Sequence, residues 1–525
     1  MKYRKKIEII LSILFFVILF LIRLNLSMQE WFNRDEHQFL VAGKLIADQG
    51  LMPYSGFEFH HMPYLTFVYA LVFQFTDQLI IPARMVSTLC SVFTLYLIYS
   101  FFKEKIRNVQ KSAWNIFMPI LFILLILVNS AFIITSGQSW NYDFPMLLSV
   151  LSFLTLYKAY QRDKKLKLLL LSGLFASLAT CSRLSFGPQL IPLFLAVLML
   201  PAASLKSRMQ QALLFSGGVF LGTIPLLILV LISPAHFFFH VFEYHFVIVP
   251  LYLGEMGRIM SLSTRWSFMV KNVLSPTYLV LLLLYFSTLP YSALFNRKKK
   301  TVELFGMRLI LISLPFLIYS AIGKIISLPQ YFYAPVFYLC LGIGFSFLYH
   351  IKSHATILSR FLLFSVLFSF FIAYGEYSRT DKILSSKSWN VPHFGKNERK
   401  LKNILPGGKI LTVGPTNILE NGYDIYPEFA TGPFGWRTSK FVSKEKQSQL
   451  GLVSKSNLSQ FLDNNTPNAI FVGPAKGSVS WQGDIEKPFE DYAESRRYKK
   501  IKLSKSYSIY LNPSKVDTSI QYPSK

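Results

Sequence analysis

The sequence predicts an all-α membrane domain of 11–13 transmembrane helices, followed by a small α/β domain outside the membrane. Three observations predict it. Of 525 residues, 52% are hydrophobic and 15% charged, against about 25% charged in an ordinary soluble domain. Long apolar runs recur as far as Tyr374. Beyond it the composition turns to Lys, Ser, Asn, Pro and Gly. A soluble globule of this length would lack surface charge, and a disordered chain would need low hydrophobicity.

The net charge of +27 fits the same picture. The basic residues cluster between apolar runs, as they do in the cytoplasmic loops of membrane proteins. No nucleic-acid-binding motif accompanies them, so the lipid bilayer is the expected partner and nucleic acid is not. Cys90, Cys181 and Cys340 each lie in an apolar stretch without CxxC spacing. Neither a disulfide framework nor a structural zinc site is expected from them.

The elements follow in order. Met1–Lys6 carries four basic residues and Ile7–Ile22 is almost wholly apolar. No small-residue cleavage site follows, so this reads as a retained first span with a cytoplasmic N-terminus. A span needs about 20 apolar residues. Candidates are Pro63–Phe75, Pro82–Phe102, Ile116–Thr135, Phe144–Tyr160, Leu166–Thr180, Phe186–Leu200, Ala212–Ile232, Val273–Leu289, Met307–Ile322, Tyr331–Tyr349 and Leu358–Tyr374.

Basic segments at Lys103–Lys111, Lys158–Lys167, Lys206–Arg208, Arg297–Lys300 and Lys352–Arg360 are expected inside. Ser136–Tyr142, Ser182–Ser185, Ser233–Asn272 and Gly323–Gln330 alternate with them and are expected outside. This places the chain after Tyr374 outside as well. One conflict remains: two candidate spans separate an external Asn25–Met62 from an internal Lys103, where an odd number is required. A re-entrant or interfacial Pro63–Phe75 would remove it, and so would a failure of the charge rule near Lys103.

The multi-span domain is thus read as residues 1–374, with external loops at about 25–62 and 233–272. The first loop holds an amphipathic stretch, Asp35–Asp48, suited to a helix lying on the membrane. The second, rich in Phe, His and Tyr, reads as another interfacial segment. The external domain is residues 375–525. Strand-like runs at Lys409–Val413, Ala469–Val472 and Tyr507–Leu511 alternate there with helical patterns. Gly414-Pro415 and Gly473-Pro474 are turn signals.

The chemistry-bearing feature is the pair Asp35-Glu36, beyond the outer end of the first span. A solvated turn or a helix cap would explain two acids alone. They are followed, however, by Gly50-Leu51-Met52-Pro53-Tyr54 and then His60-His61-Met62-Pro63. This string resembles the first external loop of the GT-C superfamily of polyprenyl-phosphate-sugar-dependent glycosyltransferases. It is most similar to the protein mannosyltransferase-like and aminoarabinose-transferase-like branch. Pro82-Ala83-Arg84 and the segments starting at Ser139 (SWNYDFPMLLSVLSFL), Ala179 (ATCSRLSFGPQL) and Leu328 (LPQYFYAPVFYL) resemble later family segments in the same order. The likeness covers about Trp31–Tyr349.

The resemblance implies transfer of a sugar, with inversion, from a polyprenyl-phosphate donor to a hydroxyl of a lipid, polysaccharide or protein acceptor. It implies that Asp35 is the general base. Glu36 would support it by positioning Asp35 or contacting the acceptor. Attack of a hydroxyl on an anomeric carbon does need a base within hydrogen-bond reach. The departing phosphate needs positive charge or oriented donors. By the charge pattern, Arg183 and Lys324 fall at outer span ends and suit that role; snorkelling to lipid headgroups is the bland alternative. Arg258 and Arg265, in the second loop, are weaker candidates. His60 and His61 would hydrogen-bond the donor phosphate, or shape the turn before Pro63. Asp143 is a second acid or a helix-start residue.

His236, His240 and Glu243 share one helical face, a spacing compatible with a metal. Their Phe neighbours favour an interfacial helix, so no metal ligand is assigned. No cofactor is assigned, and a divalent metal is compatible with the reaction. A polysaccharide polymerase or ligase would share the composition but lack the early Asp-Glu loop. A transporter or flippase would show paired halves and ionisable residues deep in its spans, which the sequence does not. A catalytically silent scaffold would not need the acid pair. The expected location is the bacterial cytoplasmic membrane.

Overall fold

The computed structural model describes residues 2–32, 34–109, 114–161, 166–296, 301–377, 389–390, 405, 407–474, 484–504 and 506–514. The basic segment Arg297–Lys300 lies outside them. The chain divides into two compact units. One comprises Met1–Ser27, Val86–Pro225 and Ile259–Leu384; the other comprises Met28–Met85, Leu226–Arg258 and Ser385–Lys525.

The first unit is helical. Among the described residues of the whole chain, seven helices are long and apolar enough to cross a membrane, or eight if the bent pair Leu262–Val273 and Pro276–Thr288 is one span. Tyr64–Phe73, Phe117–Leu127, Leu166–Ser182 and Leu184–Leu198 are shorter apolar helices. Span Pro329–Ile351 is 94% buried and span Lys6–Gln29 only 17%, so the former is a central helix and the latter a peripheral one. Leu166–Ser182 meets the helix that starts at Leu205 backbone to backbone. A Cβ on Gly218 would lie 2.0 Å from the Leu170 carbonyl oxygen, and one on Gly173 would lie 2.0 Å from that of Phe215. Small residues permit such close crossings where no hydrophobic drive separates helix from lipid.

The second unit gathers the first loop, the segment from Pro234 and the tail. Helix Arg34–Gln49 stops at Gly50, whose φ of 64° is the left-handed conformation that ends helices. The sequence suggests that this helix lies on a membrane surface. Instead, every residue from Glu36 to Leu45 is buried, because the polar face is covered as well as the apolar one. Its neighbour, Tyr64–Phe73, has ten residues and is about 15 Å long. That is half the roughly 30 Å of a hydrocarbon core. Such a length fits a re-entrant or interfacial Pro63–Phe75.

Pro234–Glu255, expected to be interfacial, is one continuous helical stretch long and apolar enough for a span. Its middle, Phe239–Ile248, is a π-helix. The rings of His236 and His240 stay 6.4 Å apart, while Glu243 is engaged elsewhere. Their partners differ accordingly: His236 bonds Ser233, His240 meets His60, and Glu243 pairs with Lys446.

The tail forms a five-stranded sheet: β1 (Lys409–Leu411), β2 (Asp424–Ile425), β3 (Ala469–Val472), β4 (Lys499–Lys502) and β5 (Ser508–Leu511). The order is β2-β1-β3-β5-β4. The first three strands are parallel, while β5 runs antiparallel to both β3 and β4. All four residues of β3 are buried, as expected of a central strand covered on both faces. Trp436, Phe429, Phe489 and Tyr498 fill the core beside it.

Candidate active site

The candidate residues fall in both units, and each group is described within its own. In the second unit, Asp35 and Glu36 occupy the first turn of helix Arg34–Gln49, where acids complement the helix dipole. They diverge in environment. Asp35 is half-buried. Glu36 is fully buried and paired with Arg84: Nε donates to Oε2 at 3.0 Å and Nη2 to Oε1 at 2.7 Å. The rest of the guanidinium donates to the carbonyls of Glu30 and Trp31. Both oxygens of this enclosed carboxylate are engaged by one guanidinium. Arg84 thus takes a place that the charge pattern left open. An arginine at the start of an apolar run, with an acid pair nearby, was the available signal.

The turn after Gly50 holds Tyr54 at φ 73°, a conformation that costs a residue with a Cβ about 1–2 kcal/mol. Burial of its ring and a hydrogen bond from its hydroxyl to the His61 carbonyl, 2.7 Å, hold it there. His61 stacks on Phe39 and keeps partial exposure. His60 is buried, face to face with Tyr244. Its Nδ1 lies 3.3 Å from Nδ1 of His240, and its Nε2 lies 3.3 Å from Oε1 of Glu58. Glu58 Oε2 accepts from the Thr431 hydroxyl at 2.9 Å. Burial drives these ionisable groups towards neutrality: it raises the Glu58 carboxyl above the usual carboxylate range and holds His60 well below the usual imidazole range. Sequence reasoning missed Glu58, although its place two residues before His60 was a usable sign. Arg258, at the end of the Val249–Glu255 helix, has an exposed side chain.

In the first unit, Arg183 and Lys324 line one cleft with Tyr142, Ser185, Gln330 and Tyr331. The Arg183 guanidinium lies 3.7 Å above the Tyr142 ring. Nη2 donates to the Tyr142 hydroxyl at 2.7 Å, Nε to Ser185 at 2.9 Å, and Nη1 to Asn141. Lys324 Nζ sits 3.9 Å from the centre of the Tyr331 ring. Arg265 instead donates to the Lys324 carbonyl at 3.0 Å. Two cations held by aromatic faces in one cleft are suited to an anion, because the rings fix the charges without neutralising them. Asp143 lies elsewhere in this unit, fully buried at the start of helix Asp143–Gln161. One carboxylate oxygen accepts from Gly137 N at 2.7 Å and the other from the Tyr333 hydroxyl. With both oxygens engaged internally, it fits the helix-start role.

No protein-family model matches the chain, and no curated protein matches it in sequence. Among solved structures, ArnT from Cupriavidus metallidurans bound to undecaprenyl phosphate matches with a TM-score of 0.58 and 11% identity, covering 98% of this chain and 99% of that one. ArnT in the apo state matches with a TM-score of 0.59 at the same identity and coverage. The chain shares the fold of these two structures over nearly its whole length.

Proposed function

We propose that this chain is an inverting membrane glycosyltransferase that moves a sugar from a polyprenyl-phosphate donor to an acceptor hydroxyl at the outer face of the membrane. The observation that carries the reading is the cleft in which Arg183 and Lys324 stand together. It belongs to a chain with the whole-length fold of a protein solved with undecaprenyl phosphate bound.

The two roles are assigned separately. Asp35 accepts the proton of the acceptor hydroxyl as that oxygen attacks the anomeric carbon. The carbon–oxygen bond to phosphate breaks, and its electron pair leaves on the phosphate oxygen. Within the first unit, Arg183 and Lys324 are the groups suited to a phosphate anion; the guanidinium matches phosphate geometry and the ammonium acts as a point charge. Glu36, fixed by Arg84, holds the first helical turn that presents Asp35. The acceptor is a lipid, polysaccharide or protein, and the sugar a hexose or pentose. The N-terminus lies in the cytoplasm and the tail domain outside it, across a bacterial cytoplasmic membrane.

The test is transfer of radiolabel from polyprenyl-phosphate sugars to membrane-extract acceptors by purified, detergent-solubilised protein. Wild type is expected to form a labelled product, and Asp35→Asn to form it at least about 100-fold more slowly. Equal rates in the two proteins would remove Asp35 from the mechanism.

A further inference from the structure

We infer that Arg437, held on the rings of Tyr252 and Phe434, is the centre of a binding site for an oxyanion of the phosphate class. Arg437 lies on the short helix Pro433–Thr438 of the tail. Its guanidinium carbon stands 4.9 Å from the centre of the Tyr252 ring and 4.7 Å from that of Phe434. All three residues belong to the second unit. The site shares no residue with the acid pair at Asp35 or with the Arg183 cleft, and it needs no glycosyl transfer to be real.

Two observations favour an anion. First, the side chain is half-buried, yet it makes no hydrogen bond and no ion pair to any described residue, and its Nε is fully buried. A guanidinium carries five N–H donors, and buried polar groups are ordinarily satisfied. Arg84, Arg183, Arg265 and Arg308 each spend donors on protein oxygens. Second, the local charge does not balance. Arg437, Lys440 and Lys446 all reach from the tail to the helical stretch Pro234–Glu255. Lys440 pairs with Glu255 at 2.7 Å, and Lys446 pairs with Glu243. That stretch contains no other acid, so the third cation meets aromatic faces and no carboxylate. Its charge acts on His60 and Tyr244, neither of them an acid side chain that could pair with it. Glu58, which approaches Gly435 on the same short helix, bonds Thr431 instead.

The chemistry of the group selects the ligand. Aromatic faces fix a guanidinium plane without neutralising its charge. The planar fork then offers parallel N–H bonds to two oxygens of one phosphate group. A partly buried charge is also screened less by salt than an exposed one. The phosphate reaches the site either on a lipid headgroup or as a soluble ion. The rival arrangement is an arginine that only packs, its stem and plane joining the tail to the helix through apolar contact.

The experiment uses the full-length protein in detergent, carrying Arg183→Ala and Lys324→Ala so that the other cation cleft is removed. Inorganic phosphate and a short-chain phosphatidate are titrated separately, with the matching diacylglycerol as the uncharged control. Binding is read by calorimetry and by the rise in unfolding midpoint that a ligand of the folded state produces. Both anions are expected to bind more tightly than the control. Adding Arg437→Gln should weaken phosphate binding by about 10- to 100-fold. Arg437→Lys should fall between the two, since an ammonium lacks the fork. Phosphatidate binding tighter than inorganic phosphate, beyond what the control shows, assigns the anion to a lipid headgroup; equal binding assigns it to a soluble phosphate. Arg437→Gln is also compared with wild type, where it should remove one of two phosphate-binding components; this comparison decides the matter if the Arg183→Ala/Lys324→Ala protein does not fold. Phosphate binding unchanged by Arg437→Gln would overturn the inference by placing the anion elsewhere. Absence of phosphate binding with Arg437 intact, while Arg437→Gln lowers only the unfolding midpoint, would overturn it in favour of the packing role.

Discussion

Arg84 grips Glu36 with two parallel hydrogen bonds, 3.0 Å and 2.7 Å, and neither side chain is exposed. The pair ties the start of helix Arg34–Gln49 to the start of helix Ile80–Val109. Removing one partner leaves the other charge buried without compensation, at a cost of about 3–5 kcal/mol. Arg84→Ala is therefore expected to lower the thermal unfolding midpoint sharply in detergent, read by tryptophan fluorescence. Arg84→Lys should recover little, since an ammonium cannot make the two-point contact. A midpoint unchanged in Arg84→Ala would show that the pair does not hold this turn.

Asp35 should behave in the opposite way. It is half-buried at the first turn of the same helix. Replacing it with Asn removes the favourable interaction of its charge with the helix dipole, about 0.3–1 kcal/mol, and keeps the shape of the side chain. Transfer should nevertheless fall by about 10²–10⁴-fold. Neighbouring acids would then separate: Asp35→Asn losing rate and keeping stability, Glu36→Gln losing stability first. Loss of both properties in Asp35→Asn would make it a second structural acid.

The contrast marks how far the sequence could be read. Asp35-Glu36, Gly50 and Pro53-Tyr54 were legible because each is local: an acid in a first turn, a glycine ending a helix, a turn before the next element. The helical membrane domain followed from apolar runs, β1 and β3 from short hydrophobic stretches before Gly-Pro turns, and β5 from a third short stretch of that kind. What stayed hidden depends on distant pairing. Nothing in one sequence says that Arg84 folds back 48 residues onto Glu36, or that His240 meets His60 across 180 residues. The π-helical winding at Phe239–Ile248 was equally hidden, since an apolar run of that kind fits an ordinary helix. β2, two residues long, and β4, Lys-Lys-Ile-Lys, carry too little hydrophobic pattern to announce themselves.

The cleft in the first unit makes a prediction about binding rather than rate. Three of the five Arg183 N–H donors go to Ser185, Asn141 and Tyr142. These bonds hold the guanidinium plane against the Tyr142 ring. A hydrogen bond to a charged group is worth about 1.5–3 kcal/mol, so Arg183→Ala should weaken binding of undecaprenyl phosphate by roughly 10- to 100-fold. Lys324→Ala should weaken it less at physiological salt, because a flexible ammonium is more readily replaced by solvent ions. Binding measured by quenching of tryptophan fluorescence, with undecaprenol as the uncharged control, separates charge from the tail. Equal loss for phosphate and alcohol would mean that the cleft does not read the anion.

Glu420 gives the protein a pH dependence whose sign can be worked out. Its carboxylate accepts backbone N–H groups of Leu79 and Ile80, at the entry to helix Ile80–Val109, while burial pushes its pKa up to about 7 from an ordinary 4.5. The folded state thus keeps this proton up to about pH 7, whereas the unfolded chain releases it near 4.5. Between those values the folded state binds more protons, so stability falls as pH rises through the window. At about 1.4 kcal/mol per unit, the loss amounts to roughly 3 kcal/mol and is complete above the folded pKa. Glu58, also raised by burial, contributes in the same direction, so the informative quantity is the difference between wild type and Glu420→Gln. The glutamine oxygen can still accept at the helix entry but does not titrate. The difference in unfolding midpoint should therefore change steadily between pH 5 and 7, to the disadvantage of wild type, and stay flat above about 8. Parallel pH profiles for the two proteins would show that Glu420 titrates alike in folded and unfolded chains.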